Sequence, residues 1–418
     1  MPDAELPSGP ESDGPSGHVS GHSPTSGPPE AEGPAILSRQ ELRAQRARAK
    51  GNGSRTWTYA FGVVGVVLVG VVVAYLFTRN AKPTVARAAV TSTTVAPAPA
   101  PNCPLTGAPA PGGVVPARPA LGIKIGNYPG DRPSTGLNQA DIVFEEPVEG
   151  AITRLLAVFQ CQGAALVGDL RSAREPDVGI LSQLSDPLFV HAGGINPVIA
   201  LLADSPLIDE NLYQGSNGSA IIQQPGRVAP YSTFVNTASL WAFDPSDTKA
   251  PAPIFQYSTA LPAGSVAGSG TSVHIPFSSS SDVTWQWSGS VGKYLRSYSG
   301  QPDILLDKSQ TAATNVVILS VQTATGSWVE NSEGGHEVDV TATGSGPLVV
   351  MRNGVAITGT WSRTSLTTPA SLTSANGTPI ALQPGNTWEE LVPDGIPVTP
   401  AGSPPLPATG AGPSTTRP

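Results

Sequence analysis

Between Arg55 and Arg79 the chain runs for 23 residues without a charge, and nearly all of the stretch from Trp57 to Phe77 is apolar. At roughly 1.5 Å per helical residue such a run reaches about 35 Å, enough to cross a hydrocarbon core of roughly 30 Å with some tilt. Residues 56–78 are therefore expected to form a single transmembrane helix, with Trp57 and Tyr59 at one membrane surface and Tyr75 and Phe77 at the other. Arg39, Arg43, Arg46, Arg48, Lys50 and Arg55 precede the run, opposed only by Glu41, whereas Arg79, Lys82 and Arg87 follow it. The positive-inside bias then keeps the N-terminus cytoplasmic and exports the C-terminal part. A cleaved signal peptide is the rival reading. Against it, the apolar core exceeds the roughly 7–15 residues of a signal sequence and lies far from the N-terminus. Either way the bulk of the chain is expected outside the cytoplasm, at the cell membrane.

The chain holds 46 glycines and 44 prolines, concentrated in the first 36 residues, in 79–118, near 249–270 and after 397. Such stretches bury too little apolar surface to offset chain entropy and read as tethers. The expected layout is a disordered cytoplasmic segment 1–55, the helix 56–78, a linker 79–101, a mixed α/β domain 102–250, a linker 251–270, a small β domain 271–397 and a disordered tail 398–418. Beyond residue 78 there are 17 basic and 24 acidic residues, a net charge of −7. That sign argues against a nucleic-acid partner, or any polyanion held by bulk charge. The two cysteines, Cys103 and Cys161, both lie on the exported side. In an oxidising compartment they are expected to form one disulfide.

The exported region reads as an α+β chain in two parts. In the first, Ala120 to Ile125, Asp141 to Glu146, Ile152 to Gln160 and Pro187 to His191 read as strands, the second and third as a hairpin. Asn196 to Ala203 reads as a helix with Pro197 in its first turn. In the second part, strands recur from Val273 to Leu382 with turn residues between them, and Asn353-Gly354 marks a tight hairpin. This part is expected to be an antiparallel sandwich or partly open barrel.

Several stretches carry a family resemblance: Pro104-Leu-Thr-Gly107, Arg118 to Asn127, Arg132 to Glu146, Glu149 to Arg154, Arg171-Ser-Ala-Arg174, Gly292 to Arg296, Ala313 to Val317, Gly344-Ser-Gly346, Gly359-Thr-Trp361 and Pro384 to Glu389. In this order they resemble both domains of the DUF3048 family, which includes YerB-type predicted lipoproteins of Gram-positive bacteria. The resemblance implies an extracytoplasmic, membrane-attached, two-domain protein and assigns no activity. The chain departs from the lipoprotein members in its helical anchor, and from the family pattern at Asp169 and Glu175, where proline is expected.

Strand alternation places Glu146 on the same face as Ile142 and Phe144, and Arg154 on the same face as Ile152, Leu156 and Val158. A carboxylate on an apolar face must be paired, shifted in pKa or set at a cleft edge. Glu146 is therefore expected to meet Arg154, Arg171 or Arg174, either as a structural ion pair or as a ligand-facing cluster. Ser172 to Glu175 has the spacing of a capping box, which would set Arg171 and Arg174 beside a helix N-terminus suited to an anion. Asn127 and His191 complete the ligand-binding candidates. The five histidines show no metal spacing, and no Walker loop, dinucleotide fingerprint or H-E-x-x-H is present, so no metal or cofactor is implied. Trp285 and Trp287, on one strand face, read as core or sheet surface. Leu406-Pro-Ala-Thr-Gly410 spells a sortase signal but has no apolar segment after it.

Two function classes follow. The first is a membrane-tethered ectodomain that binds cell-wall material or another envelope protein without turnover. The alternative is a hydrolase or transferase acting on wall polymer through carboxylates such as Glu146, Glu149 or Asp169. They differ in whether two carboxylates face one open cleft or are each neutralised by arginines.

Overall fold

The computed structural model describes residues 100–401, apart from 215, 216 and 332. The expected transmembrane helix 56–78 and the stretch Leu406 to Gly410 lie outside these residues. Among the described residues no helix is long and apolar enough to cross a membrane.

The strands of the first half are β1 (Leu121–Gly126), β2 (Ile142–Val148), β3 (Ile152–Phe159), β4 (Leu188–His191) and β5 (Ile208–Asn211), besides the short strands 167–168, 222–223 and 233–235, which pair among themselves. Those of the second half are β6 (Ser272–Ser278), β7 (Ser281–Ser288), β8 (Lys293–Tyr298), β9 (Asn315–Val321), β10 (Thr323–Val329), β11 (His336–Val340), β12 (Gly344–Arg352), β13 (Val355–Arg363), β14 (Ser371–Ser374) and β15 (Thr387–Pro393). The α-helices among the described residues are short: α1 (Glu175–Leu181), α2 (Asn196–Asp204) and α3 (Thr237–Trp241). The α+β expectation thus gives way to a mostly β fold. In α1 the cause is local, since Pro176 suits only the first turn and Gly179 is a weak helix former, and the segment passes into a 3-10 turn at Ser182–Leu184.

One mixed sheet runs through both halves in the order β14-β13-β12-β9-β15-β2-β3-β1-β4-β5. The halves join where β2 pairs in parallel with β15, from Ile142↔Thr387 to Glu145↔Glu390, and β15 pairs in parallel with β9. The second half was expected to close on itself as an antiparallel sandwich or barrel. Instead β9 and β12–β15 extend the first half's sheet, while β6–β8 form a second sheet with the short strands 301–302, 312–313 and 399–400. The stretch 251–270, read as a linker, is tied down: Ile254 and Phe255 are buried, and the Tyr257 hydroxyl donates to the Leu105 carbonyl at 2.6 Å. Pairing of Thr399 and Pro400 with β6 carries ordered structure past residue 397.

Period-two alternation sorts the sheet into two cores. Leu121, Ile123, Ile125, Val143, Leu155 and Ala157 join Ile275, Trp285, Tyr294 and Trp388 on the side of the second sheet. Ile142, Phe144, Leu156 and Val158 join Ile180, Leu181, Val198 and Leu202 on the side of the helices. Asn353 (φ 51°) and Gly354 (φ 70°) turn β12 into β13, with Arg352 opposite Val355, as the Asn-Gly signal required. The disulfide Cys103–Cys161 forms, fixing the segment before β1 to the end of β3.

Candidate functional site

Charged residues sit on both faces of the central sheet, and each face has its own network. On the helix side, Lys124 of β1 shares a face with Glu146 of β2 and reaches it past the intervening β3. Its Nζ also donates to Asp177 Oδ1 of α1 at 2.7 Å, and the Lys124 and Glu146 side chains are fully buried. Glu146 stands opposite Arg154 in the backbone register, yet the arginine turns elsewhere. Arg154 Nη1 donates to the Ser172 carbonyl at 2.8 Å, and its Nη2 to Glu149 Oε1 at 3.3 Å. Glu149 is gripped by Arg174 as well, whose Nε donates to Oε2 at 2.8 Å and whose Nη2 also bonds Oε1. Arg174 further pairs with Glu330 at 3.2 Å, just past β10. Glu337 of β11 accepts the Glu175 N–H at 2.6 Å.

Around three cations, Lys124, Arg154 and Arg174, this network gathers six carboxyls, those of Glu146, Glu149, Asp177, Glu330 and Glu337 and, beside Glu337 without a bond to any cation, Glu175. Such an excess cannot all ionise in a dry interior. Burial pushes Glu146 up to about 7 despite the Lys124 charge. It does the same to Glu175 and Glu337, helped at Glu175 by Asp339 and Glu337 and at Glu337 by Glu330. Burial acts on Glu149 too, but the Arg174 hydrogen bond and the charges of Arg154 and Arg174 outweigh it and hold this carboxyl down at about 2. Burial raises Glu330 too, so four of the six carboxyls are held up and the cluster's excess of negative charge is relieved.

On the opposite face Glu145 takes two contacts from Arg296 Nη2, at 3.0 and 2.8 Å, and accepts from Asn127 Nδ2 at 3.0 Å and Thr153 Oγ1 at 2.7 Å. Arg296 Nη1 donates to Asp303 at 2.7 Å, and the guanidinium lies 5.1 Å from the Trp388 ring centre. Asn127 thus belongs to a different network from Glu146 and Arg154. Trp285 is buried against Trp388 and donates from Nε1 to Glu390 at 2.7 Å.

The remaining candidates lie toward the β1, β4 and β5 side. Arg171 meets Asp131 at 3.3 Å and the Tyr231 ring at 5.3 Å. Asp131 Oδ2 accepts the Tyr128 N–H at 2.7 Å. Beside Asp131, the buried Asp169 carboxyl receives no hydrogen-bond donor on either oxygen, and burial together with the Asp131 charge pushes it up to about 8. Ser172 does not cap α1. The N-cap is Arg174, whose N–H donates to Asp177 Oδ2 at 2.7 Å, while Ser172 Oγ donates to the Ala192 carbonyl. The helix starts two residues late because Asp177, not Ser172, satisfies its first turn. His191 is buried, with one ring nitrogen 2.7 Å from the Gly193 carbonyl and the other 2.7 Å from Asp209 Oδ1.

The geometry corrects the expected partner of Glu146 and adds Lys124, Glu145, Asp177, Arg296, Glu330 and Glu337. Arg296 carries the signal that singled out Glu146, a charge between apolar neighbours at strand spacing, Tyr294 and Tyr298, whereas Lys124 does not: its same-face neighbours are Gly122 and Gly126, and Ile123 and Ile125 point to the other face.

The raised carboxyls set the sign of the pH dependence. Asp141 at about 6, Glu146, Glu175, Glu337 and Glu389 at about 7 and Asp169 at about 8 keep protons in the folded chain that the unfolded chain releases near pH 4. Their contribution is full below that pH and is lost as pH rises toward 8. Glu149 acts oppositely, losing its contribution as pH falls from about 4.5 to about 2. Thermal denaturation of the unit 96–418 is expected to give a higher Tm at about pH 5 than at about pH 8. A Tm that climbs over that interval contradicts the assignment.

Comparison with known proteins agrees with this architecture. Residues 105–250 match the N-terminal domain, and 273–388 the C-terminal domain, of the family described as "Protein of unknown function (DUF3048)". The protein named "Putative lipoprotein YerB", from Bacillus subtilis (strain 168), is 48% identical over 90 residues, a stretch that spans 22% of this chain and 27% of that one. The crystal structure of YerB protein from Bacillus subtilis superposes with a TM-score of 0.61 at 23% identity, covering 70% of this chain and 97% of that one. With both domains matched in order around a sheet that they share, this chain belongs to the DUF3048 family.

Proposed function

We propose that residues 96–418 form an extracytoplasmic binding module, held at the bacterial cell membrane by the apolar run 56–78, which recognises cell-wall material or another envelope protein without turning it over. The supporting observation is the state of the carboxylates. Glu145, Glu146 and Glu149 are each engaged by a buried lysine or arginine, so none stands free opposite a second carboxylate across a cleft, as hydrolysis of a glycosidic bond requires. The envelope setting is supported by the lipoprotein name of the relative and by the Cys103–Cys161 disulfide, a bond favoured outside the cytoplasm. One observation favours the hydrolase reading instead: the Asp169 carboxyl, held up at about 8 by burial, lies beside Asp131, an arrangement of two carboxyls of the kind that can supply an acid and a base. Both are buried to within 1% of full cover, which leaves no path for a polymer chain.

The unit 96–418 is to be incubated with purified cell walls and, separately, with solubilised envelope proteins. Retention by one of the two is expected. Retention by neither, or a reporter fused after Pro397 that is active in the cytosol, overturns the proposal.

A further inference from the structure

A second feature lies away from the charged networks. Between the helix side of the sheet, α1 and the residues following β11 is a cavity of about 30 Å³, walled by Phe144, Ile180, Leu319, Val321, Trp361 and Leu391. Phe144 and Ile180 come from the first half of the chain and the rest from the second, so the site exists only when the halves share their sheet. Into this apolar space projects Glu389 of β15. It is 6% exposed and makes no hydrogen bond or ion pair with any described residue. Burial lifts its carboxyl to about 7, with the Arg363 charge pulling the other way. Every other carboxyl in the middle of this sheet has a donor, Glu145, Glu146 and Glu390 included. A buried carboxyl left without a partner costs free energy unless a ligand supplies one.

Arg363 also lines the cavity, but its donors are largely spent on backbone carbonyls. Nε serves Thr368 at 2.8 Å, Nη1 serves Ala342 at 3.3 Å, and Nη2 serves Gly179 at 2.8 Å and also Leu366. One Nη1 hydrogen is left over. The cavity thus presents a carboxyl without partners and a cation with one donor to spare, with no ion pair between them. Above pH 7, where Glu389 ionises and balances Arg363, adding an ammonium would leave net positive charge in a dry site and adding a carboxylate would leave net negative charge, both unfavourable. A neutral group with two donors and one acceptor completes both partners.

We propose that this pocket binds the primary carboxamide end of a small ligand, its NH2 on Glu389, its oxygen toward Arg363 and its short apolar stem between Phe144 and Trp361. The enclosed space suits a group little larger than water, with the stem occupying the mouth. This inference is independent of what the module binds through the rest of its surface.

The test is titration of the 15N-labelled unit 96–418 with propionamide, followed by backbone amide shifts, with propylammonium and propionate as charged comparators. Saturable shifts centred on 180–183 and 340–342 are expected with propionamide, and responses at least about tenfold weaker with either ion, the factor expected for one buried polar mismatch. Glu389→Leu, which keeps the wall but removes the acceptor, should abolish them. Glu389→Gln keeps an acceptor oxygen and should retain binding within about tenfold. Ala370→Trp, at a partly exposed residue of the lining, should fill the cavity and weaken binding at least about tenfold while leaving the rest of the spectrum intact. Absence of shifts with propionamide, tighter binding of propylammonium, or shifts unchanged in Glu389→Leu each overturn the proposal.

Discussion

Replacing Arg296 with alanine is expected to destabilise the folded unit by about 3–5 kcal/mol, the cost of leaving a buried charge without its partner. Arg296 is fully buried on the apolar face of β8, and it bridges the second sheet to Glu145 of β2 and to Asp303. Removing it strands the Glu145 carboxylate in the core between the two sheets and opens a void beside Trp388. The loss belongs to the broken pair, not to the pair as such. Two opposite charges in the interior are no better than matched apolar side chains. Combining Arg296→Met with Glu145→Leu should therefore recover much of what Arg296→Met alone loses. Urea denaturation of the wild type, both single variants and the double variant checks this. Additive losses would show that Glu145 and Arg296 are not coupled.

The disulfide gives the second large effect. Cys103 and Cys161 are 58 residues apart in sequence, and closing a loop of that length restricts the unfolded chain by about 4 kcal/mol in the chain-entropy model. The native state also depends on the bond for position. The segment it anchors places Leu105 in the helix-side core, the Leu105 carbonyl takes the Tyr257 hydroxyl, and the Thr106 carbonyl takes the Gly385 N–H at 2.8 Å. The pinned segment thus touches both halves. The double variant Cys103→Ser with Cys161→Ser is expected to show a lower denaturation midpoint and a steeper urea dependence, because its unfolded state is less compact. An unchanged midpoint in the variant, or in the wild type under reductant, would show that the crosslink contributes nothing.

Much of the local structure was legible from the chain. Alternation located β1, β2 and β3 to within a residue or two, Asn353-Gly354 marked its hairpin, and the apolar setting of Glu146 flagged a buried charge. What escaped was non-local. The pairing of β2 with β15 joins residues about 245 positions apart, in parallel, and a parallel pair needs a long crossover that leaves no short-range turn signal. The stretch Pro384 to Glu389 was visible as a motif, yet nothing in it says that Trp388, Glu389 and Glu390 enter the middle of a ten-stranded sheet. Without that order Lys124 could not be matched to Glu146, since they lie on strands separated by β3. The same gap explains the two networks. Asn127 and Glu146 were both ligand-binding candidates, and the sheet passes between them.

The linker reading of 251–270 failed for a related reason. Its Gly and Pro content matches a tether, but Ile254, Phe255 and Tyr257 are enough to hold one end of it to the core. Composition averages over a window, whereas anchoring depends on a few side chains.

The claim that this fold binds and does not cut is tested most directly by following soluble material released from purified cell walls incubated with the unit 96–418, using mass spectrometry over several hours. With its central carboxylates occupied by Lys124, Arg154, Arg174 and Arg296, the protein is expected to release nothing beyond the wall-only control. Fragments that accumulate with time and disappear in Asp169→Asn would contradict it.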